Sequence, residues 1–188
     1  MAARLHSAFL PLTIAISIII LELINTLLGH RLSSFFGITP ETILGVPKIF
    51  TAPFFHGSLR HAMGNMVPFV VLGSFIIMSH GKQRFLTTCL SIMVFSGLAT
   101  WLIGKTNTVH FGASGVVFGL IAYLMFLGFY SRRILYLFTS ATIILFYGTV
   151  FVFGLLPIQD GISWEGHLSG AICGIALARY YGQNMRAI

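Results

Sequence analysis

The apolar positions of this chain neither alternate nor recur on one helical face; they run together. Long apolar stretches occupy residues 8–29, 61–80, 85–104, 114–131, 134–156 and 165–182, separated by four short connections and one long one, 30–60. A helix crossing a bilayer needs about 20 mostly apolar residues, and all six stretches reach or approach that length. The fourth and sixth are the shortest and the richest in Gly and Ala. The pattern predicts an all-α integral membrane protein: six transmembrane helices in a single domain over residues 1–188, with a long membrane-associated first loop.

That first loop is not plainly hydrophilic, since it carries Phe35, Phe36, Ile43, Leu44, Phe50 and Phe54. Within it Thr39-Pro40-Glu41 reads as a helix start: a capping hydroxyl, proline at the first helical position and an acid at the positive end of the dipole. The expectation is a short helix over 40–46, lying in the outer interface. Pro68 is expected to kink or loosen the second span.

Composition narrows the function classes. Hydrophobic residues make up 56% of the 188 and charged residues only 8%, against about 25% charged in an ordinary soluble domain. A soluble enzyme, a DNA-binding module and a disordered tail are thereby excluded. Eleven Lys and Arg against four Asp and Glu would suggest nucleic acid in a soluble protein. Here the bases lie in short connections, so the expected partner is the lipid bilayer and no nucleic acid is expected. Arg4, Lys82, Arg84, Arg132, Arg133, Arg179 and Arg186 fall on one side; Arg31, Lys48, Arg60 and Lys105 fall on the other. The excess predicts that both termini are cytoplasmic. Trp101 and Trp164 suit the outer interface, and Tyr130, Tyr136, Tyr180 and Tyr181 the inner one. Arg4 ahead of an apolar run with no A-x-A-like site reads as an uncleaved first span. Cys89 and Cys173 sit inside apolar runs and read as small hydrophobes.

With six spans and cytoplasmic termini, the second, fourth and sixth helices all begin on the outer side. His61 and Asn65, at i and i+4, share a face at the start of the second. Ser114 opens the fourth within Gly112-Ala113-Ser114-Gly115, and His167 lies near the opening of the sixth after Trp164-Glu165-Gly166. Unpaired N–H groups at a helix start point towards a developing oxyanion, and a serine there needs a base, for which His167 is best placed. His61 and Asn65 are positioned to add donors to the same oxyanion, with the Gly112-Ala113 turn beside them. Only Glu165 and Asp160 offer a carboxylate at matching depth, so a Ser–His dyad is expected instead of a triad. Gly115 and Gly119 on one helix, and Gly166, Gly170 and Gly174 on the other, form small-residue faces that allow close backbone packing. Glu22, inside the first span, is costly there and should find a partner; a link to backbone amides of the first connection is expected. His56 and His110 also face the outer side, where they would either help line the cavity or lie in the interface; the interface reading is favoured.

His61-x-x-x-Asn65, the Gly112-Ala113-Ser114-Gly115 turn and His167 before a glycine-rich last helix resemble the rhomboid intramembrane serine proteases, over about Thr51 to Tyr181. The resemblance implies a rhomboid-like bundle in which Ser114 is the nucleophile and His167 the general base. It also implies that His61, Asn65 and the Ser114 backbone amide form the oxyanion hole. Substrates would be transmembrane segments of other proteins, cut near their outer ends after a small residue, and no cofactor or metal is required. The expected location is a bacterial inner membrane. Two positions depart from the family pattern: Pro47-Lys48 stands where many members have Trp-Arg, and Phe118 stands where Tyr is common beneath the histidine. Phe118 keeps the supporting ring without its hydroxyl. Competing readings are a non-catalytic rhomboid-like protein that binds membrane helices, a transporter or channel, and a metal site built from His56, His61, His110 and His167. The spans hold almost no ionisable residues for a transport path, and no His-Glu-x-x-His pattern supports a metal.

Overall fold

Each apolar stretch carries one long helix in the computed structural model, which describes residues 7–158, 161 and 163–186. The helices are α1 (Leu10–Leu27), a short α2 (Arg31–Phe36), α3 (Leu59–His80), α4 (Lys82–Ile103), α5 (Ser114–Ser131), α6 (Ile134–Gly154) and α7 (Trp164–Arg186). No strand occurs among the described residues; a single bridge pairs Ile38 with His110. Arg4 and Asp160 lie outside the described residues, as does the side chain of Arg186.

Among the described residues five helices, α1 and α3 to α6, are long and apolar enough to cross a membrane. The sixth, α7, has 23 residues but falls short on apolarity. It carries Glu165, Arg179, Gln183 and Asn184 and spends much of its length on glycine and alanine. Those small residues serve helix contact, not lipid contact. α7 packs along α5 and, less extensively, along α4.

α5 is the centre of the molecule. Thirteen of its 18 residues are buried, and it touches α3, α4, α6 and α7. By contrast α6 buries only Ser140 and Ile143 of its 21 residues. The main core runs from Ala15 and Ile18 of α1 through Leu72 and Ile76 of α3 to Leu120 and Leu124 of α5. Pro68 is buried within α3, which continues past it to His80.

The first connection is more structured than a loop, and the expected helix over 40–46 does not form. Glu41 is in the left-handed region at φ 60°, which a right-handed helix cannot accommodate. Its N–H donates instead to the Trp101 carbonyl (3.0 Å), while Trp101 Nε1 donates to the Thr42 carbonyl (2.8 Å). Thr42, not Thr39, is the capping residue: its Oγ1 accepts from Gly45 N at 3.1 Å. One 3-10 turn follows at Ile43–Gly45, then two more at Pro47–Phe50 and Ala52–Phe54. Ile49, 2% exposed, drops onto Gly97 of α4, where a Cβ would stand 2.5 Å from Ile49 Cγ2. With Ile38, Ala52 and Trp101 it makes a small second core, so this part of the connection is seated on α4 at one end of the bundle.

Candidate active site

The turn leading into α5 is held from two sides. Gly112 adopts φ +119°, a conformation that L side chains rarely tolerate, and its N–H donates to the Ala52 carbonyl (2.9 Å). Ala113, the N-cap, donates its N–H to His56 Nε2 at 3.3 Å. Ser114 is therefore the first helical residue, and the amides of this first turn have no intrahelical acceptors. Ser114 lines a cavity of about 1170 Å³, together with His61, Asn65, Phe118, Gly154 and His167. It also borders a second, water-sized cavity of about 40 Å³, whose wall sets the polar side chains of Ser96, Thr100, His110 and Ser163 among apolar ones such as Ile49 and Met93.

His167 sits in the first turn of α7 and is 6% exposed. Its Nδ1 donates to the Gly154 carbonyl at 2.8 Å. A carbonyl only accepts, so the ring proton is on Nδ1 and Nε2 carries the lone pair. Phe118 stacks against the ring with centroids 4.0 Å apart and planes 8° from parallel. Phe151 backs Phe118 in turn at 5.8 Å. The partner of Nδ1 is thus a main-chain group and not a carboxylate; the Glu165 carboxylate is instead approached by Ser163 Oγ at 3.5 Å. Ser114 and His167 share the large cavity, and the hydrogen bonds of the described residues include none between them.

The two helices that carry these residues touch backbone to backbone. A Cβ at Gly170 would collide with the Gly115 carbonyl oxygen, and one at Gly174 with that of Gly119. Gly115 lies close to the Gly166 carbonyl in the reverse sense, its Cβ position 3.1 Å from that oxygen. A side chain at Gly170 or Gly174 would push α5 and α7 apart.

The start of α3 forms the opposite wall. Ser58 caps it, its Oγ accepting from His61 N at 3.1 Å. Asn65, one turn on, is 7% exposed, and its Nδ2 has no hydrogen-bond partner. A buried donor left unpaired carries a desolvation cost, and here it borders the cavity that Ser114 lines. The His61 ring stands against Gly112, whose Cβ position is 3.4 Å from His61 Cε1.

Reading His56 and His110 as interface residues is corrected by their surroundings. His56 is fully buried beneath the Gly112-Ala113 turn, its ring edge-on to His61 at 5.1 Å and 87°. Burial, and then the neighbouring His61, hold its pKa down at about 3. His110 is tied into the site's rim: Nδ1 lies 2.9 Å from Ser163 Oγ and Nε2 lies 2.7 Å from Thr108 Oγ1. Burial lowers its pKa while the Glu165 charge opposes that shift. The sequence did hold a signal for His56, an imidazole at the end of the largely apolar run 49–55, just ahead of α3. Its burial, however, is decided by α1, since Glu22 Oε2 accepts from His56 N at 3.2 Å. The expected link between Glu22 and a first-connection amide is present. Among the described residues no three His, Cys, Asp or Glu side chains converge as a metal site.

Comparison with known proteins matches the Rhomboid domain to residues 44–184. Uncharacterized protein Rv1337 of Mycobacterium tuberculosis is 35% identical over 175 residues, covering 89% of this chain and 72% of its own. Uncharacterized protein ML1171 of Mycobacterium leprae is equally similar, at 35% over 175 residues and 68% of its own length. Rhomboid-like protein 11, chloroplastic, of Arabidopsis thaliana is 28% identical over 141 residues, 68% of this chain and 49% of its own. With well over half its length inside the matched domain, the chain belongs to the rhomboid family.

Proposed function

We propose that this protein is an intramembrane serine endopeptidase that cuts transmembrane segments of other membrane proteins near their outer ends. In this reading α7 crosses the bilayer with the five apolar helices, sheltered from lipid on the side it turns to α4 and α5. Both termini are cytoplasmic, the membrane is a bacterial inner membrane, and the cavity opens outward. Ser114 Oγ attacks the scissile carbonyl carbon as its proton passes to His167 Nε2. The oxyanion is met by the Ser114 N–H, the unpaired Asn65 Nδ2 and the His61 ring. His167 then returns the proton to the leaving amine, giving an acyl-enzyme. Water, for which the small cavity beside Ser114 has room, with Ser96, Thr100, His110 and Ser163 in its wall, hydrolyses the ester with His167 again acting as base.

The observation that carries this reading is the setting of His167. Its Nδ1 is committed to the Gly154 carbonyl (2.8 Å), and its ring is clamped by Phe118 (4.0 Å). A packing histidine needs no fixed tautomer, whereas a general base does. The second reading, a non-catalytic member that binds membrane helices, draws on the absence of a Ser114–His167 hydrogen bond. Apo catalytic contacts are often long, however, and tighten only with substrate.

The test is covalent labelling by a fluorophosphonate probe in native-like membranes. The wild type should react at Ser114, Ser114→Ala should not react, and His167→Ala should react at least about 100-fold more slowly. A folded wild type that takes no label overturns the hydrolytic reading and leaves the helix-binding one.

A further inference from the structure

α1 and α2 precede the matched Rhomboid region, yet they hold the segment that supports the turn before Ser114. Glu22 is fully buried. Its Oε2 accepts from His56 N (3.2 Å) and from Asn25 Nδ2 (3.0 Å); His30 Nδ1 lies 3.6 Å from the other oxygen. The His56 carbonyl is gripped as well, by Asn25 Nδ2 at 2.9 Å and Ser33 Oγ at 2.6 Å. Asn25 Oδ1 in turn accepts from Leu32 N (3.1 Å) and Ser33 N (3.3 Å), which ties α2 into the same knot.

Both main-chain groups of His56 are therefore fixed by side chains of α1 and α2. Its ring has no exposed surface, and it places Nε2 on the Ala113 amide and stands edge-on to His61. Only one residue, His56, stands between the Glu22–Asn25–Ser33 knot and the turn that carries Ser114. The knot is not what seats α1 in the bundle. Ala15 and Ile18, deeper along α1, pack into the main core with residues of α3.

We propose that Glu22, Asn25 and Ser33 are positioning residues that act through His56. They set the height of the Ala113-Ser114 turn and the angle of the His61 ring, and hence the spacing of the oxyanion donors. The effect on rate rests on the hydrolytic reading; the effect on order at Ala113 does not.

The experiment uses the full chain in lipid bicelles, comparing wild type, Glu22→Gln, Glu22→Ala and Ser33→Ala. Three quantities are read: hydrogen exchange at the Ala113 amide, thermal unfolding, and the fluorophosphonate labelling rate. A carboxylate acceptor is stronger than a neutral amide, so protection of the Ala113 amide and the labelling rate should both fall from wild type through Glu22→Gln to Glu22→Ala. Glu22→Ala should show about tenfold faster exchange at Ala113 and about tenfold slower labelling. Protection in the second half of α5 should stay at the wild-type level. Ser33→Ala should move both readouts in the same direction by about threefold. If Glu22→Ala fails to fold, Glu22→Gln and Ser33→Ala carry the comparison. Unchanged exchange at Ala113 in the folded variants overturns the proposal. So does faster exchange spread evenly over α5, because that would mean the knot only holds the bundle together. If the wild type takes no label but Ala113 exchange follows the ranking, positioning stands and the hydrolytic reading falls.

Discussion

His56 accepts the Ala113 N–H on Nε2, so its single proton sits on Nδ1, which has no partner. Protonating such a ring would break the bond to Ala113 and place a charge where the side chain has no exposed surface. With the folded pKa at about 3 and an ordinary value of 6.5, the unfolded chain takes up the proton first. The neutral ring's contribution is therefore complete above about pH 6.5 and is lost as pH falls from there towards 3, at roughly 1.4 kcal/mol per unit. Thermal unfolding between pH 7.5 and 5 should show a steeper loss in wild type than in His56→Gln, which keeps an acceptor but does not titrate. Equal slopes would mean that the ring is solvated or protonated in the folded state. At this scale the sequence was only partly legible. Glu22 announced a partner because an ionisable group in an apolar span needs one. His56 gave a weaker signal, an imidazole at the end of an apolar run, because the α1 side chains that hold it lie more than 30 positions away.

At the scale of elements, helix bounds were readable where local chemistry decides them and hidden where a neighbour does. α5 runs Ser114–Ser131, the same range its apolar run predicts, because the Gly112-Ala113 turn and the arginine pair Arg132-Arg133 bracket it. α7 continues to Arg186, beyond the 182 suggested by hydropathy, and Arg133 Nη2 donates to the Met185 carbonyl (2.6 Å) near that end. The helix expected over 40–46 fails for a matching reason, since Trp101 claims the groups around Glu41 and Thr42. Two glycines separate packing from chemistry. At Gly170 an added methyl meets the Gly115 main chain, while at Gly154 it meets the Phe118 ring that supports His167. Gly170→Ala should therefore lower stability by about 1–3 kcal/mol, the usual cost of overpacking, and reduce labelling with it. Gly154→Ala has a side-chain ring to displace, so labelling should fall about tenfold or more through the shifted base while the unfolding temperature moves less. The paired measurement is labelling rate against unfolding temperature; a parallel drop in both variants would deny Phe118 its supporting role.

For the molecule as a whole, hydropathy predicts that helices cross a membrane but says nothing of what surrounds them once there. α5 and α6 both qualify as spans, and hydropathy alone does not reveal that one is enclosed and the other lies open. Enclosure follows from glycine faces meeting across α5 and α7, a property of pairs. The expected six-helix crossing rests on the same point. α7 is the least apolar of the long helices because it is furnished for a protein neighbour. The openness of α6 has a consequence for how this chain tolerates change. Where lipid is the neighbour, only solubility in hydrocarbon is judged, and Leu, Ile, Phe and Val are interchangeable. Where a helix is the neighbour, volume is judged, and an alanine exchanged for serine costs less than one exchanged for leucine. A saturation library scored for accumulation in the membrane should show α6 indifferent to size and intolerant of charge, with α5 intolerant of size and lenient towards small hydroxyls. If both helices gave one profile, lipid would have to reach α5. Two segments that a hydropathy plot draws alike would then drift through sequence space under opposite rules, one written by the solvent and the other by the fold.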